Sequence, residues 1–233
     1  MEMLNTPEFW VALGQIIVIN ILLSGDNAVV IALACRQLPP KQQKAAIMFG
    51  SVGAIVLRVV LTFFAVMLLK LPFLKLVGGI ALLWIGASML GTDDGEGDLD
   101  AHSNLMAAIR TIIVADFIMS LDNVLGVAAA AKGNVVLLVV GLGISIPLII
   151  YGSQLILKLM DRFPMVITLG AALLGWVAGE MMIEDSWMVP LLPEGSATIH
   201  YGVPIACAAL VVLAGRWLAS RSASRSDEPT GTA

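Results

Sequence analysis

The stretch Asn20-Ile21-Leu22-Leu23-Ser24-Gly25-Asp26-Asn27-Ala28-Val29-Val30 sets a small polar cluster, with an acid at its centre, in an apolar run over about residues 9–35. An ionised carboxylate inside a hydrophobic span costs roughly 2.5–3.5 kcal/mol even on the most lenient insertion scale. The chain does this twice. Ser120-Leu121-Asp122-Asn123 follows Asp116-Phe117-Ile118-Met119, again within a long apolar run. Two such clusters in the same local setting ask for a shared cause.

The composition supplies the setting. Of 233 residues, 59% are hydrophobic and 13% charged, and the mean hydropathy is +0.95. Soluble domains carry about 45–50% apolar and about 25% charged residues, so the chain reads as a polytopic membrane protein. A net charge of −4 without any basic stripe argues against nucleic acid as a partner. Cys35 and Cys207 stand alone near the ends of apolar runs and read as small hydrophobes. The start carries Glu2 and Glu8 and no basic segment, unlike a cleavable signal peptide.

Seven spans are expected, over about residues 9–35, 44–69, 73–90, 105–131, 135–159, 166–183 and 203–219. An acidic linker covers residues 92–100, a polar segment residues 184–200, and a Ser/Arg-rich tail, expected to be disordered, residues 220–233. The spans do not alternate apolar with polar as barrel strands do. The class is therefore all-α, one transmembrane domain over residues 1–219. Arg36, Lys41 and Lys44, then Lys158 and Arg162, then Arg216, Arg221 and Arg225 fall on one side of the membrane if there are seven spans. The positive-inside rule then puts the C-terminus in the cytoplasm and the N-terminus outside, in a bacterial cytoplasmic membrane.

The clusters belong to a longer repeat. Asp26 and Asp122 are 96 residues apart (122 − 26), and at the same spacing Asn20 matches Asp116, Ser24 matches Ser120 and Asn27 matches Asn123. Farther on, Val77–Ile85 lines up with Leu169–Val177 at a spacing of 92 (169 − 77), a few residues having been lost between. Residues 9–91 thus repeat as residues 105–183, followed by one more helix. Three spans is an odd number, so the second copy enters from the opposite face: an inverted-topology repeat. Such carriers hold substrate near the midplane, on interrupted helices. Ser24, Gly25, Asp26 and Asn27 are middling-to-poor helix formers, which predicts a break there. The second copy has Leu121 in the place of Gly25, which predicts a milder one.

The candidate site is oxygen-rich: Asp26, Asn27, Asp122, Asn123, Asp116, Asn20, Ser24 and Ser120. Such ligands suit hard divalent cations. Met119 offers a softer sulfur. The bland reading is hydrogen bonding between helices; it applies most to Asn20 and Ser24, less to Asn27 and Asn123, and least to Asp26 and Asp122. On a regular helix Asp116 and Asp122 stand about 120° apart with ~9 Å of rise, so local unwinding is needed to gather them. His102 and His200 read as stray surface histidines. Arg58 is the only Lys or Arg deep in a span and needs a counter-charge, with Asp26, Asp116 or Asp122 as candidates. It is either a static ion-pair partner or an internal cation that occupies the carboxylates when no metal is bound. Glu180, near the end of the sixth span, reads as an interfacial acid, with a ligand role as the alternative.

At these motifs, Asn20…Leu23-Ser24-Gly25-Asp26-Asn27 and Asp116…Ser120-Leu121-Asp122-Asn123, the chain resembles the TerC family of integral membrane proteins, closest to its YjbE-like branch and akin to LysE-type exporters. The resemblance spans nearly the whole chain. It implies manganese efflux or metal homeostasis, with metal held by Asp26 and Asp122 and supported by Asn27, Asn123 and Asp116. Many members carry Glu where this chain has Asn20, which removes one charge from the site.

The expected function is therefore a divalent-cation exporter working by alternating access, with Mn²⁺ favoured and Ca²⁺ the other candidate. No prosthetic group is expected, and a homo-oligomer is compatible with this reading. Two alternatives stand beside it. One is export of a small organic cation or amino acid, disfavoured because Phe117 is the only aromatic residue close to either cluster. The other is a non-transporting accessory protein in metal or envelope stress. The absence of a Walker motif and of a Ser/His arrangement inside the spans argues against an enzyme.

Overall fold

A computed structural model describes residues 7–22, 24–68, 71–91, 101–131, 134–193 and 196–226. They form eight α-helices: α1 (Pro7–Leu22), α2 (Gly25–Cys35), α3 (Pro40–Leu68), α4 (Leu74–Gly91), α5 (Ala101–Ala131), α6 (Val135–Arg162), α7 (Met165–Ile183) and α8 (Ala197–Ser226), with a short 3-10 turn at Val189–Leu191. There is no strand among the described residues. Six helices are long and apolar enough to cross a membrane, and seven spans result if the bent pair α1/α2 counts as one. Large apolar side chains such as Trp10, Phe63, Phe64, Trp84, Tyr151 and Leu213 lie exposed. Water would not tolerate so continuous an apolar surface, whereas lipid does, so the protein is a multi-pass integral membrane protein.

The first polar cluster breaks its helix as expected. Trp10–Asn20 and Gly25–Cys35 meet at 47°. Ser24, at φ −118° and ψ 2°, caps α2 through its backbone: its carbonyl accepts from the Ala28 N–H at 3.0 Å. Gly25 itself is helical, so the break precedes it. The second cluster departs from expectation, because α5 runs unbroken through Ser120–Asn123. One helix-compatible Leu121, fully buried against the core, is enough to let packing override the weak local propensities of its neighbours. The tail departs as well: α8 continues through Ser226, past the expected end of the last span at Ala219. Residues 227–233 and the acidic linker 92–100 lie outside the described part.

The helices sort into two groups. α1, α2, α3, α5 and α6 pack on one another, and α4, α7 and α8 do the same, while the seam between the groups is sparse, made mainly by α5 on α4 and α2 on α7. Within the first group the two copies interlock. Ile112 of α5 covers Gly50 of α3, where an added Cβ would meet it at 2.7 Å, and Ile16 of α1 covers Gly141 of α6, where a Cβ would meet it at 2.5 Å. Ile16 and Ile112 are themselves matched positions of the repeat, 96 apart (112 − 16). Ser145 and Ser153 on α6 satisfy their hydroxyls within the helix, on the carbonyls of Gly141 and Ile149, as apolar surroundings require.

In the second group the backbones touch. A Cβ at Gly175 would lie 2.6 Å from Ala208 Cα and 2.7 Å from the Cys207 carbonyl oxygen, and one at Gly179 would lie 2.6 Å from Pro204 Cα. Backbone cannot step aside as a side chain can, which is the small-residue packing of membrane helices. Gly175→Ala is expected to lower stability by about 1–3 kcal/mol, read as a lower melting temperature in detergent. Gly143→Ala, with nothing within 4 Å of the new methyl, serves as the neutral control; equal melting of the two variants would contradict the contact.

The start of α4 is capped from outside its own chain segment. Residues 71–73 supply no Ser, Thr, Asp or Asn to close its first N–H groups. Asp185, just past α7 and 1% exposed, does so instead. Its Oδ1 accepts from the N–H of Phe73 at 3.1 Å and of Trp187 at 2.9 Å; its Oδ2 accepts from Lys75 and Leu76, each at 3.1 Å. Phe73, at φ 65°, stacks its ring 5.1 Å from that of Trp187, and Lys75 pairs with Glu184 at 3.3 Å. In the sequence Asp185 is simply one residue of the polar segment 184–200. The signal was the missing cap at residues 71–73.

Candidate functional site

The site lies in the five-helix group, where α1, α2, α3 and α5 meet. Its centre is Arg58 on α3, 1% exposed. Every nitrogen of its guanidinium donates. Nε reaches Ser120 Oγ at 2.9 Å. Nη1 reaches Asn20 Oδ1 at 2.7 Å and Ser24 Oγ at 3.4 Å. Nη2 pairs with Asp116 Oδ1. Ser120 Oγ in turn donates to Asp116 Oδ2 at 3.1 Å, and Ser24 Oγ to Asn20 Oδ1 at 3.5 Å. The acceptors are themselves buried, Asn20 and Ser120 fully so.

These four acceptors are two matched pairs of the repeat: Asn20 with Asp116, and Ser24 with Ser120. The bend between α1 and α2 carries Ser24 beside Asn20. A regular helix carries Ser120 one turn on from Asp116. Two different backbones thus present the same pair of side chains to one guanidinium. Of the three acids open as partners for Arg58, the partner is Asp116. Because residue 20 is Asn, the guanidinium meets one carboxylate among the described residues, that of Asp116.

Of the other four expected ligands, Asp26, Asn27 and Asn123 are not among the acceptors of Arg58. Asp26 sits in the first turn of α2, half-buried, with Oδ1 accepting from the Asn27 N–H at 2.9 Å. Asn27 is buried and Asn123 half-buried. Asp122 lies on α5, and its side chain is outside the described part. The unbroken α5 holds the Cα atoms of Asp116 and Asp122 about 9 Å apart in rise. Among the described residues no three His, Cys, Asp or Glu side chains gather at metal-binding distances. Glu180 is half-buried in the last turn of α7, in the other helix group, as an interfacial acid would be.

The electrostatics of this arrangement are restrictive. Arg58 and Asp116 form a buried ion pair, whose desolvation is offset only because every donor finds an oxygen. A divalent ion placed ~4 Å from the guanidinium would be repelled by about 8 kcal/mol at an effective dielectric near 20. The four oxygens can therefore serve one cation at a time.

By fold and site the chain is a multi-pass, all-helical integral membrane protein built around a buried intramembrane charge pair. It belongs to the TerC family: the sequence model of the integral membrane protein TerC family matches residues 5–223. The chain is similar to the uncharacterized membrane protein YjbE of Bacillus subtilis, 42% identical over 207 residues that cover 89% of this chain and 94% of the relative. It is also similar to the uncharacterized membrane protein YceF of the same organism, 26% identical over 223 residues covering 91% and 81%. The UPF0053 inner membrane protein YgdQ of Escherichia coli is 26% identical over 202 residues, covering 78% and 84%. No solved structure matches.

Proposed function

We propose that the chain exports a divalent cation, Mn²⁺ in the first place, across the cytoplasmic membrane, and that it acts as a carrier rather than an enzyme. The observation that carries this reading is the convergence of matched oxygens from both copies on one buried cation seat, which in this structure holds the guanidinium of Arg58. Asp26, in a bent span next to that seat, adds an acid whose described partner is the neighbouring backbone. Asp122, Asn27 and Asn123 complete the proposed ligand set. The sparse seam between the five-helix group and α4/α7/α8 is where access would alternate.

The proposed orientation has the N-terminus outside and the C-terminus in the cytoplasm. Two contacts support the seven-span count behind it. Phe73 and Lys75, at the α3–α4 corner, bind Asp185 at the α7–α8 corner, so these two corners share a face. Arg36, after α2, donates to the Met89 carbonyl at the far end of α4 at 2.9 Å, so those ends share the other. Arg221 lies 3.7 Å over the ring of Trp217 near the end of α8, a pairing suited to a headgroup boundary.

Cells relying on this protein for manganese tolerance are expected to lose radiolabelled-manganese efflux on Asp26→Asn or Asp122→Asn, with the protein still reaching the membrane. Normal efflux from either variant would sink the proposal. One observation favours the second reading: a seat that holds a guanidinium can hold an organic cation. Proteoliposomes offered Mn²⁺ or lysine decide between the two.

A further inference from the structure

We propose that Arg58 is a tethered substitute for the cargo: it occupies the cation seat when the carrier is empty, and must withdraw for a divalent ion to enter. This rests on the cation-export reading above. Three observations carry it. The guanidinium takes its bonds from Asn20, Ser24, Asp116 and Ser120, four of the eight oxygen ligands that the motifs mark out. These four are two matched pairs of the repeat, one member of each pair from each copy, so Arg58 bridges the two copies where cargo would bridge them. The side chain is buried, and each of the four residues gives it an oxygen, so a second cation must compete with the guanidinium for the same groups.

A static ion pair would need one carboxylate and a hydrogen bond or two. It would not need the symmetric partners of that carboxylate as well. The arrangement also explains how an empty carrier tolerates a buried acid. Asp116 is compensated at all times, by Arg58 or by cargo, so this carboxylate is never left bare in the apolar interior. Arg58 then acts as a specificity-determining residue. It lowers apparent affinity for every cation and disfavours those whose charge density is too small to displace a four-acceptor guanidinium. It further makes release of cargo favourable, since the side chain recaptures its seat.

The test is Mn²⁺ binding by calorimetry on the purified full-length chain, paired with manganese flux in proteoliposomes. Arg58→Gln is expected to bind Mn²⁺ about tenfold tighter or more, equivalent to about 1.4 kcal/mol, while losing most turnover. Arg58→Lys keeps the charge but fills fewer acceptors, and is expected to shift affinity the same way by a smaller factor; it stands in if the Gln variant does not fold. In Arg58→Ala, millimolar guanidinium should refill the seat and weaken Mn²⁺ binding again, with no such effect on the wild type. Folded variants with unchanged or weaker Mn²⁺ binding, and no response to guanidinium, would overturn the substitute role while leaving the export reading intact. Failure of the wild type and the variants alike to bind Mn²⁺ would overturn both.

Discussion

Asp116→Ala is expected to be the most damaging single substitution in the five-helix group, lowering stability by about 3–5 kcal/mol. The cause is not the lost attraction alone. Arg58 stays behind, 1% exposed, with Nη2 stripped of its partner and its charge uncompensated in apolar surroundings. Ser120 loses the acceptor of its own hydroxyl at the same time. Asp116→Asn keeps an oxygen for the guanidinium and removes only the charge, so its loss should be smaller. Arg58→Met combined with Asp116→Ala removes both charges and keeps apolar volume, which is often neutral for stability. The double variant is therefore expected to melt close to the wild type while remaining unable to carry cargo. A cycle of the four proteins by thermal unfolding in detergent measures the coupling. If Asp116→Ala melts with the wild type, the pair is not the buried, fully committed contact described above.

Much of this was legible before any coordinates. The spans follow from hydrophobic length, the bend in the first span follows from four poor helix formers in a row, and the 96-residue spacing named the pairs that meet at Arg58. The Asn20/Asp116 asymmetry was visible too, and its meaning is now physical. A Glu at position 20 would put a second acid on the guanidinium, whereas with Asn there Asp116 is the one carboxylate bonded to it among the described residues. What the sequence could not show depended on tertiary packing. Leu121, buried in the core, keeps α5 helical where propensity alone argued for a looser turn. Which acid Arg58 chooses depends on how α3 is rotated against α5, and no spacing within one segment encodes that. The α4/α7/α8 group depends on backbone contacts at Gly175 and Gly179, and nothing in the sequence around these glycines names the backbone they meet.

Asp185→Ala tests the second group and is expected to lower stability by about 2–3 kcal/mol, since it uncaps a helix and leaves partly buried N–H groups without an acceptor. For a chain of this size that is a fall of about 5–10 °C in melting temperature. The pH dependence makes the assignment specific. Burial alone would push the Asp185 carboxyl up, but the N–H groups of Trp187, Leu76, Phe73 and Lys75 together outweigh it and hold it below its ordinary value of 3.8. A depressed carboxyl contributes stability that is fully present above pH 3.8 and is lost as the pH falls from there through the folded-state value. The melting-temperature gap between wild type and Asp185→Ala should therefore be constant near neutrality and narrow only in strongly acidic buffer. Lys75→Ala, which removes a partly exposed ion pair with Glu184 but keeps the Lys75 N–H on Asp185, should change melting little. The α4 cap and the Phe73–Trp187 contact join the third span of one copy to the end of the third span of the other, far along the chain. Loosening them should thus lower the unfolding temperature without altering how Arg58 holds its four oxygens. Mn²⁺ affinity that fell in step with the melting temperature would show instead that the two helix groups are one energetic unit.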